Sequence, residues 1–163
     1  MSSPLSPADD YPIHQTAEVI RHTAISDRNF YDRYYNMMHD STGELMVIIG
    51  LGQYPNLSVQ DAFVLVRQGT MHRIVRASRT LGNDRMDTTV GPFSLEVLEG
   101  LQRVHYVLEP NEYGVSFDLT FNGAGPAFLE NRHYIRQMER VLFDTQRFAQ
   151  TGFWEGHLIV DDK

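Results

Sequence analysis

The sequence predicts an all-β antiparallel fold, a barrel or sandwich of about eight or nine strands, on three observations. Short runs rich in Val, Ile, Phe and Tyr recur about every ten residues from Asn29 onward. Nearly every junction between them holds Gly, Pro, Asn or Asp, the residues that supply positive φ or a preset turn. In the run Val115–Phe121, four apolar side chains alternate with Ser116, Asp118 and Thr120, the period of a strand with one wet face.

Taken in order, residues 1–27 read as a flexible tail with a short helix. MSSPLSPADDYP is too rich in Ser, Pro and Asp to pack, and Thr16–Thr23 could make one or two turns behind a Thr16 cap. Residues 28–163 form one β domain. Strands are expected at Asn29–His39 and Glu44–Gln53, joined across Asp40-Ser41-Thr42-Gly43. Val59–Arg67 and His72–Arg79 follow across Gln68-Gly69-Thr70-Met71, then Phe93–Glu99 and Arg103–Glu109 across Gly100-Leu101-Gln102. Val115–Phe121 comes next. The segment 123–144 breaks the pattern. Tyr134, Met138 and Val141/Leu142 fall at helical spacing, so a long connection with a helix, acting as lid or plug, is expected there. Phe148–Val160 is the last strand, and Asp161-Asp162 begins a turn beyond it, which suggests a continuation past Lys163 or a partner that supplies one.

One strand does not alternate. In Glu44–Gln53, Leu45, Val47, Ile49 and Leu51 point one way; Met46, Ile48 and, just beyond, Tyr54 point the other, with Gly50 and Gly52 between them. A solvent-facing sheet needs one polar face, so something apolar must cover both sides of this one. A second protein layer, a lipophilic ligand or a partner domain would each do.

Composition narrows the partners. The 163 residues carry 14 basic and 21 acidic side chains, a net charge of -7, which disfavours nucleic acid and anionic membranes. The chain has no cysteine, hence no disulfide framework and no thiolate chemistry. No secretory signal pattern opens it and no apolar run is long enough to span a bilayer, so a cytoplasmic location is expected.

Few motifs carry chemistry. Gly50-x-Gly52 after a β run resembles a dinucleotide fingerprint, but Pro55 stands where the third glycine should open a helix, so the glycines mark a bulge or a close approach instead. Seven histidines (His14, His22, His39, His72, His105, His133 and His157) show no ligand spacing, and no metal or other cofactor is expected. Asp32 and His39 are the candidate acid/base groups. Asp32 would share a face with Tyr34 and Met38, where apolar surroundings raise a carboxyl pKa; an ion pair to Arg28, Arg76 or Arg79 is the favoured alternative. Arg67, Arg73, Arg76, Arg79 and Arg85, set against Asp61, Asp84 and Asp87, read as a salt-bridged solvated face. Phe30, Tyr31, Tyr34, Tyr35, Met37 and Met38 could line an apolar cavity, since methionine adapts to irregular ligands and tyrosine brings a hydroxyl to an apolar wall.

The phrases DRNFYDRYYNMMHDSTGELMVIIGLGQYP, DAFVLVRQG, DTTVGPFSLEVLEG and FAQTGFWEGHLIV resemble the N-terminal half of actinobacterial proteins similar to the AttH and carotenoid-hydratase-like group. The resemblance implies a lipocalin-like β domain, the first of two, acting on or binding hydrophobic molecules such as isoprenoids without a redox cofactor. It carries over no catalytic residue, because the active segment of that group opens the second domain.

The first expectation is therefore binding of a lipophilic small molecule on an apolar concave face lined by Tyr34, Met38, Met46, Ile48 and Trp154. A second is part of a cofactor-free hydratase, isomerase or cyclase with Asp32 or His39 as proton donor. A third is a structural domain that packs against a partner β domain or a second copy.

Overall fold

A computed structural model describes residues 3–161. Twelve strands account for almost all of its regular structure, and every pairing is antiparallel. Strands β1 (Asp32–His39), β2 (Leu45–Tyr54), β3 (Val59–Gln68) and β4 (Met71–Thr80) form a first four-stranded sheet in chain order. The second sheet has the order β12-β7-β6-β5, from β5 (Phe93–Glu99), β6 (Arg103–Leu108), β7 (Val115–Gly123) and β12 (Gly152–Val160). The eight long strands thus follow an up-and-down meander. Neither β4 and β5 nor β1 and β12 pair, so the meander is an open sandwich and not a closed barrel.

The core lies between the sheets. Val47, Ile49 and Leu51 of β2 face inward beside Ala62, Val64 and Val66 of β3, and meet Phe93, Leu95, Tyr106, Leu108, Val115, Phe117 and Leu119 from the other layer. Burying each larger side chain contributes roughly 1.5–3 kcal/mol, which is what fixes the register of both sheets. In β7 the alternation is as expected: Val115, Phe117 and Leu119 are buried, and Asp118 is exposed between them.

The segment after β7 differs from expectation. No helix, lid or plug forms there. The β7–β12 ribbon continues outward through β8 (Phe128–Leu129) paired with β11 (Phe148–Ala149), then β9 (His133–Gln137) paired with β10 (Arg140–Thr145). Met138 and Glu139 close it, both at positive φ (48° and 58°), the geometry of a two-residue hairpin turn. The residues at helical spacing are the alternating faces of this arm, whose strands pair only with one another. Arg132 holds Asp144 through two hydrogen bonds of 2.5 and 2.6 Å, and Arg147 holds Glu130. Phe128, Leu129, Ile135, Leu142 and Phe148 stay exposed along it.

The helix expected over Thr16–Thr23 is absent; those residues make bends and a turn. Among the described residues before β1, the one helical piece is a 3-10 turn at Pro7–Asp10, which buries Ala8. Asp9 organises this segment. Its carboxylate accepts the Ile20 amide (2.7 Å), the Ser6 amide (2.8 Å) and the Ser6 hydroxyl (3.0 Å), and lies 3.0 Å from His14 Nε2. Arg21 then donates to the Gly82 carbonyl and to Asn83, tying the segment to the end of the first sheet. The Ile20 amide, and then that of Ser6, hold the Asp9 pKa well below the usual carboxylate range. A lowered folded pKa contributes stability that is present above about pH 4, the ordinary carboxylate value, and is lost as pH falls through the folded one. Acid should therefore loosen this segment: the Ile20 amide is expected to lose hydrogen-exchange protection below that range, and an Asp9→Asn variant to show the loss at neutral pH.

At the same end, Gln53 and Gln60 are buried inside the first sheet. Gln53 Nε2 donates to Gln60 Oε1 (2.9 Å) and to the Arg85 carbonyl (2.7 Å), and Gln60 Nε2 donates to the Asp87 carbonyl (3.1 Å). These bonds pin the β4–β5 connection. Gln60→Leu removes the Asp87 donor and one Gln53 partner, so a stability loss of about 1–2 kcal/mol is expected in urea unfolding.

Candidate functional site

The apolar excess on β2 has two different fates. Its Val47–Ile49–Leu51 face is the core; its Met46–Ile48 face lies on the outside of the first sheet. The ladder arranges that outer face in rows. Met37, Ile48, Leu65 and Ile74 stand side by side across all four strands. On one side of this row lie Tyr35, Gly50, Phe63 and Arg76, and on the other His39, Met46, Arg67 and His72. A further row holds Arg33, Gly52, Asp61 and Ser78. A whole row of four apolar side chains on a solvent-facing sheet is the pattern of a surface made to be covered. Met37 is 59% exposed and Ile74 42%, so nothing within the described chain covers it.

The glycines belong to this face. The Phe63 ring lies against Gly50, where a Cβ would overlap its Cε1, and the Tyr54 ring folds back over Gly52 in the same way. Aromatic rings packed on glycine fill the missing side-chain volume. No helix follows: β2 runs through both glycines into a 3-10 turn at Pro55–Leu57. Tyr31 stacks 6.2 Å from Tyr54, with the Arg33 guanidinium 5.2 Å above the Tyr31 ring. Burial raises the pKa of Asp61, against the pull of Tyr54 and Arg33, and burial also raises that of Tyr54.

The sequence-predicted residues do not converge on one site. Strand alternation puts Asp32, Tyr34, Asn36 and Met38 on the inner side of β1, and Arg33, Tyr35, Met37 and His39 on the outer side. Asp32 and His39 are therefore at opposite ends and on opposite faces of β1. The ion pair favoured for Asp32 forms, with Arg85 in place of Arg28, Arg76 or Arg79. His39 Nδ1 lies 2.8 Å from the Asp40 carbonyl, in a turn where Asp40 accepts the Leu45 amide and the Thr42 hydroxyl. Of the five ligand-lining candidates, Tyr34, Met38 and Trp154 face inward, whereas Met46 and Ile48 face outward. One concave face cannot contain all five.

The inward group borders the open side between β1 and β12. Tyr106 is its centre, 5.3 Å from the Trp154 ring and accepting a 2.9 Å hydrogen bond from Asn36 Nδ2. Burial raises the pKa of Tyr34 and, more strongly, that of Tyr106. A cavity of about 10 Å³ among Ala62, Val64, Val75, Phe93 and Leu108 is room for a single water at most.

The arginines disperse. Arg79 pairs with Asp87 (2.9 Å), Arg73 with Asp161 and Arg85 with Asp32, while Arg67 and Arg76 have no ion-pair partner among the described residues. Among those residues, no three His, Asp or Glu side chains gather as a metal site, and no helix is long and apolar enough to cross a membrane.

Residues 5–163 match the model of a family of unknown function, DUF8625. The chain belongs to that family. The match takes in the N-terminal segment and the arm as well as both sheets, so both are part of the DUF8625 domain. No curated protein and no solved structure matches the chain.

Sequence reasoning missed Phe63, Leu65 and Ile74 as site residues. The signal for the first two was present, since Ala62–Phe63–Val64–Leu65–Val66 is as apolar on both faces as β2. The Gln53–Gln60 pair carried no such signal, because its partners are backbone groups of a distant connection.

Proposed function

We propose that this DUF8625 chain is an interaction domain, with the outer face of its first sheet packing against a second β layer. The row Met37–Ile48–Leu65–Ile74 carries the proposal: it has the side chains of a core, and Met37 and Ile74 at its two ends have the exposure of a surface. The resemblance to the first of two tandem β domains fits this reading, and the absence of cysteine fits a cytoplasmic setting. Co-purification tests it. The wild-type chain, tagged and expressed from its own locus, should emerge with a stoichiometric partner or covalently continuous second domain. Met37→Asp combined with Ile74→Asp should leave the melting temperature within a few degrees and lose the partner, or expose the second domain to protease. An unchanged complex in that variant would contradict the proposal.

A lipophilic small molecule is the second reading, and the part-buried Trp154, beside Tyr106 at the open side between β1 and β12, favours it. The ligand would enter along Tyr34, Met38 and Trp154, and Trp154 emission should shift when a polarity-sensitive lipophilic dye binds. An unaltered emission spectrum at saturating dye would remove it. The enzymatic reading has weaker support, because Asp32 is held by Arg85 and His39 points to the other face of β1.

A further inference from the structure

The charged side chains around the apolar row define what kind of surface it meets. The outer face of the first sheet presents Arg33, Arg67 and Arg76 against one carboxylate, Asp61, an excess of two positive charges in a chain of net charge -7. The outer face of the second sheet has the opposite sign, with Glu96, Glu99, Asp118 and Glu155 against Arg103. The three arginines do not cluster. Arg33 stands on β1, Arg76 on β4 one row further along, and Arg67 on β3 two rows beyond Arg76. At about 4.8 Å between strands and about 6.6 Å between successive rows, Arg33 is roughly 16 Å from Arg76 and Arg76 roughly 14 Å from Arg67. They frame the apolar centre made by Met37, Ile48, Phe63, Leu65 and Ile74.

We infer that the occupant of this face is a separate partner, a protein surface with an apolar centre and separated carboxylates at its rim, matched to Arg33, Arg67 and Arg76. The inference rests on the reading of the face as a docking surface and adds the chemistry of the partner. Charge complementarity carries it. A face that is to be covered desolvates its rim, and an arginine left there without a carboxylate is costly; paired, it supplies register and on-rate. Asp61 already faces the arginines from within the row of Arg33, and a single-headed lipid could satisfy one more in a frame this wide, leaving another without a carboxylate. A macromolecular surface can meet all three.

The test uses three amphiphiles of equal chain length, decanoate, decyltrimethylammonium and decyl maltoside, each below its micelle concentration at low salt. Backbone amide shifts of the full chain report where each binds. Decanoate should bind on the first-sheet outer face at least several-fold more tightly than decyltrimethylammonium, against the net charge of the protein. Arg33→Gln, Arg67→Gln and Arg76→Gln together should abolish that preference while leaving decyl maltoside binding at Met37 and Ile74 unchanged. Equal or tighter binding of the cationic amphiphile on this face would overturn the carboxylate rim and leave the docking reading standing. No perturbation of the row by any of the three would overturn both. Concentration-dependent self-association in sedimentation, lost in the triple variant, would put the acidic second-sheet face of another copy there and overturn a separate partner.

Discussion

Tyr106→Ala should cost about 3–5 kcal/mol of folding stability and lower the melting temperature by roughly 10 °C. The ring is 1% exposed, touches Phe93 and Trp154, and ties the second sheet to Asn36 on β1. Because β1 and β12 do not pair, this contact bridges the two sheets beside the open side of the sandwich. Tyr106→Phe separates the two contributions. It keeps the packing and removes the acceptor for Asn36, so about 1 kcal/mol is expected. The alkaline limb of stability gives an independent check. Burial raises the Tyr106 pKa in the folded state, so its protonated form favours folding fully below about pH 10, and that contribution is lost as pH rises. Unfolding free energy should fall above that pH, and fall less steeply in Tyr106→Phe.

Gly50→Val should cost about 2–3 kcal/mol, through overpacking on the outer face of the sheet. The inner face is unaffected, because position 50 points outward between Ile49 and Leu51, whose side chains form the core. The new side chain would displace the Phe63 ring from the backbone it covers. Phe63→Ala in the Gly50→Val background should then be milder than the sum of the two single changes, the signature of two residues sharing one space. Urea unfolding of the four proteins in this cycle measures it. Additive losses would mean that the ring does not pack on Gly50.

The legible part of this fold was its periodicity. Alternation in Val115–Phe121 placed β7 and its wet face correctly, because period two has no competing interpretation when every second residue is polar. The same logic exposed the two-faced character of β2 and the packing role of Gly50 and Gly52. It failed in the segment after Gly123. There Tyr134, Met138 and Val141/Leu142 match a helical period by chance, and the turn at Met138-Glu139 lacks the Asn-Gly or Asp-Gly chemistry that announces a tight hairpin. The candidate site failed for a geometric reason. Asp32, His39, Tyr34, Met38, Met46 and Ile48 were grouped by nearness along one hairpin, yet alternation sends Met46 and Ile48 to the opposite side of the sheet from Tyr34 and Met38. Arg85 reaches Asp32 on β1 from far along the chain, and such a long-range meeting leaves no trace in local spacing.

In the working protein the outer face of the first sheet should be covered, and that of the second should not. Site-specific photo-crosslinking in the native cell measures this directly, with a benzophenone amino acid at position 37 or 74 on one face and at position 116 or 120 on the other. Positions 37 and 74 should each give the same discrete crosslinked product, and positions 116 and 120 should give none. Equal labelling of both faces, or none from positions 37 and 74, would contradict the account.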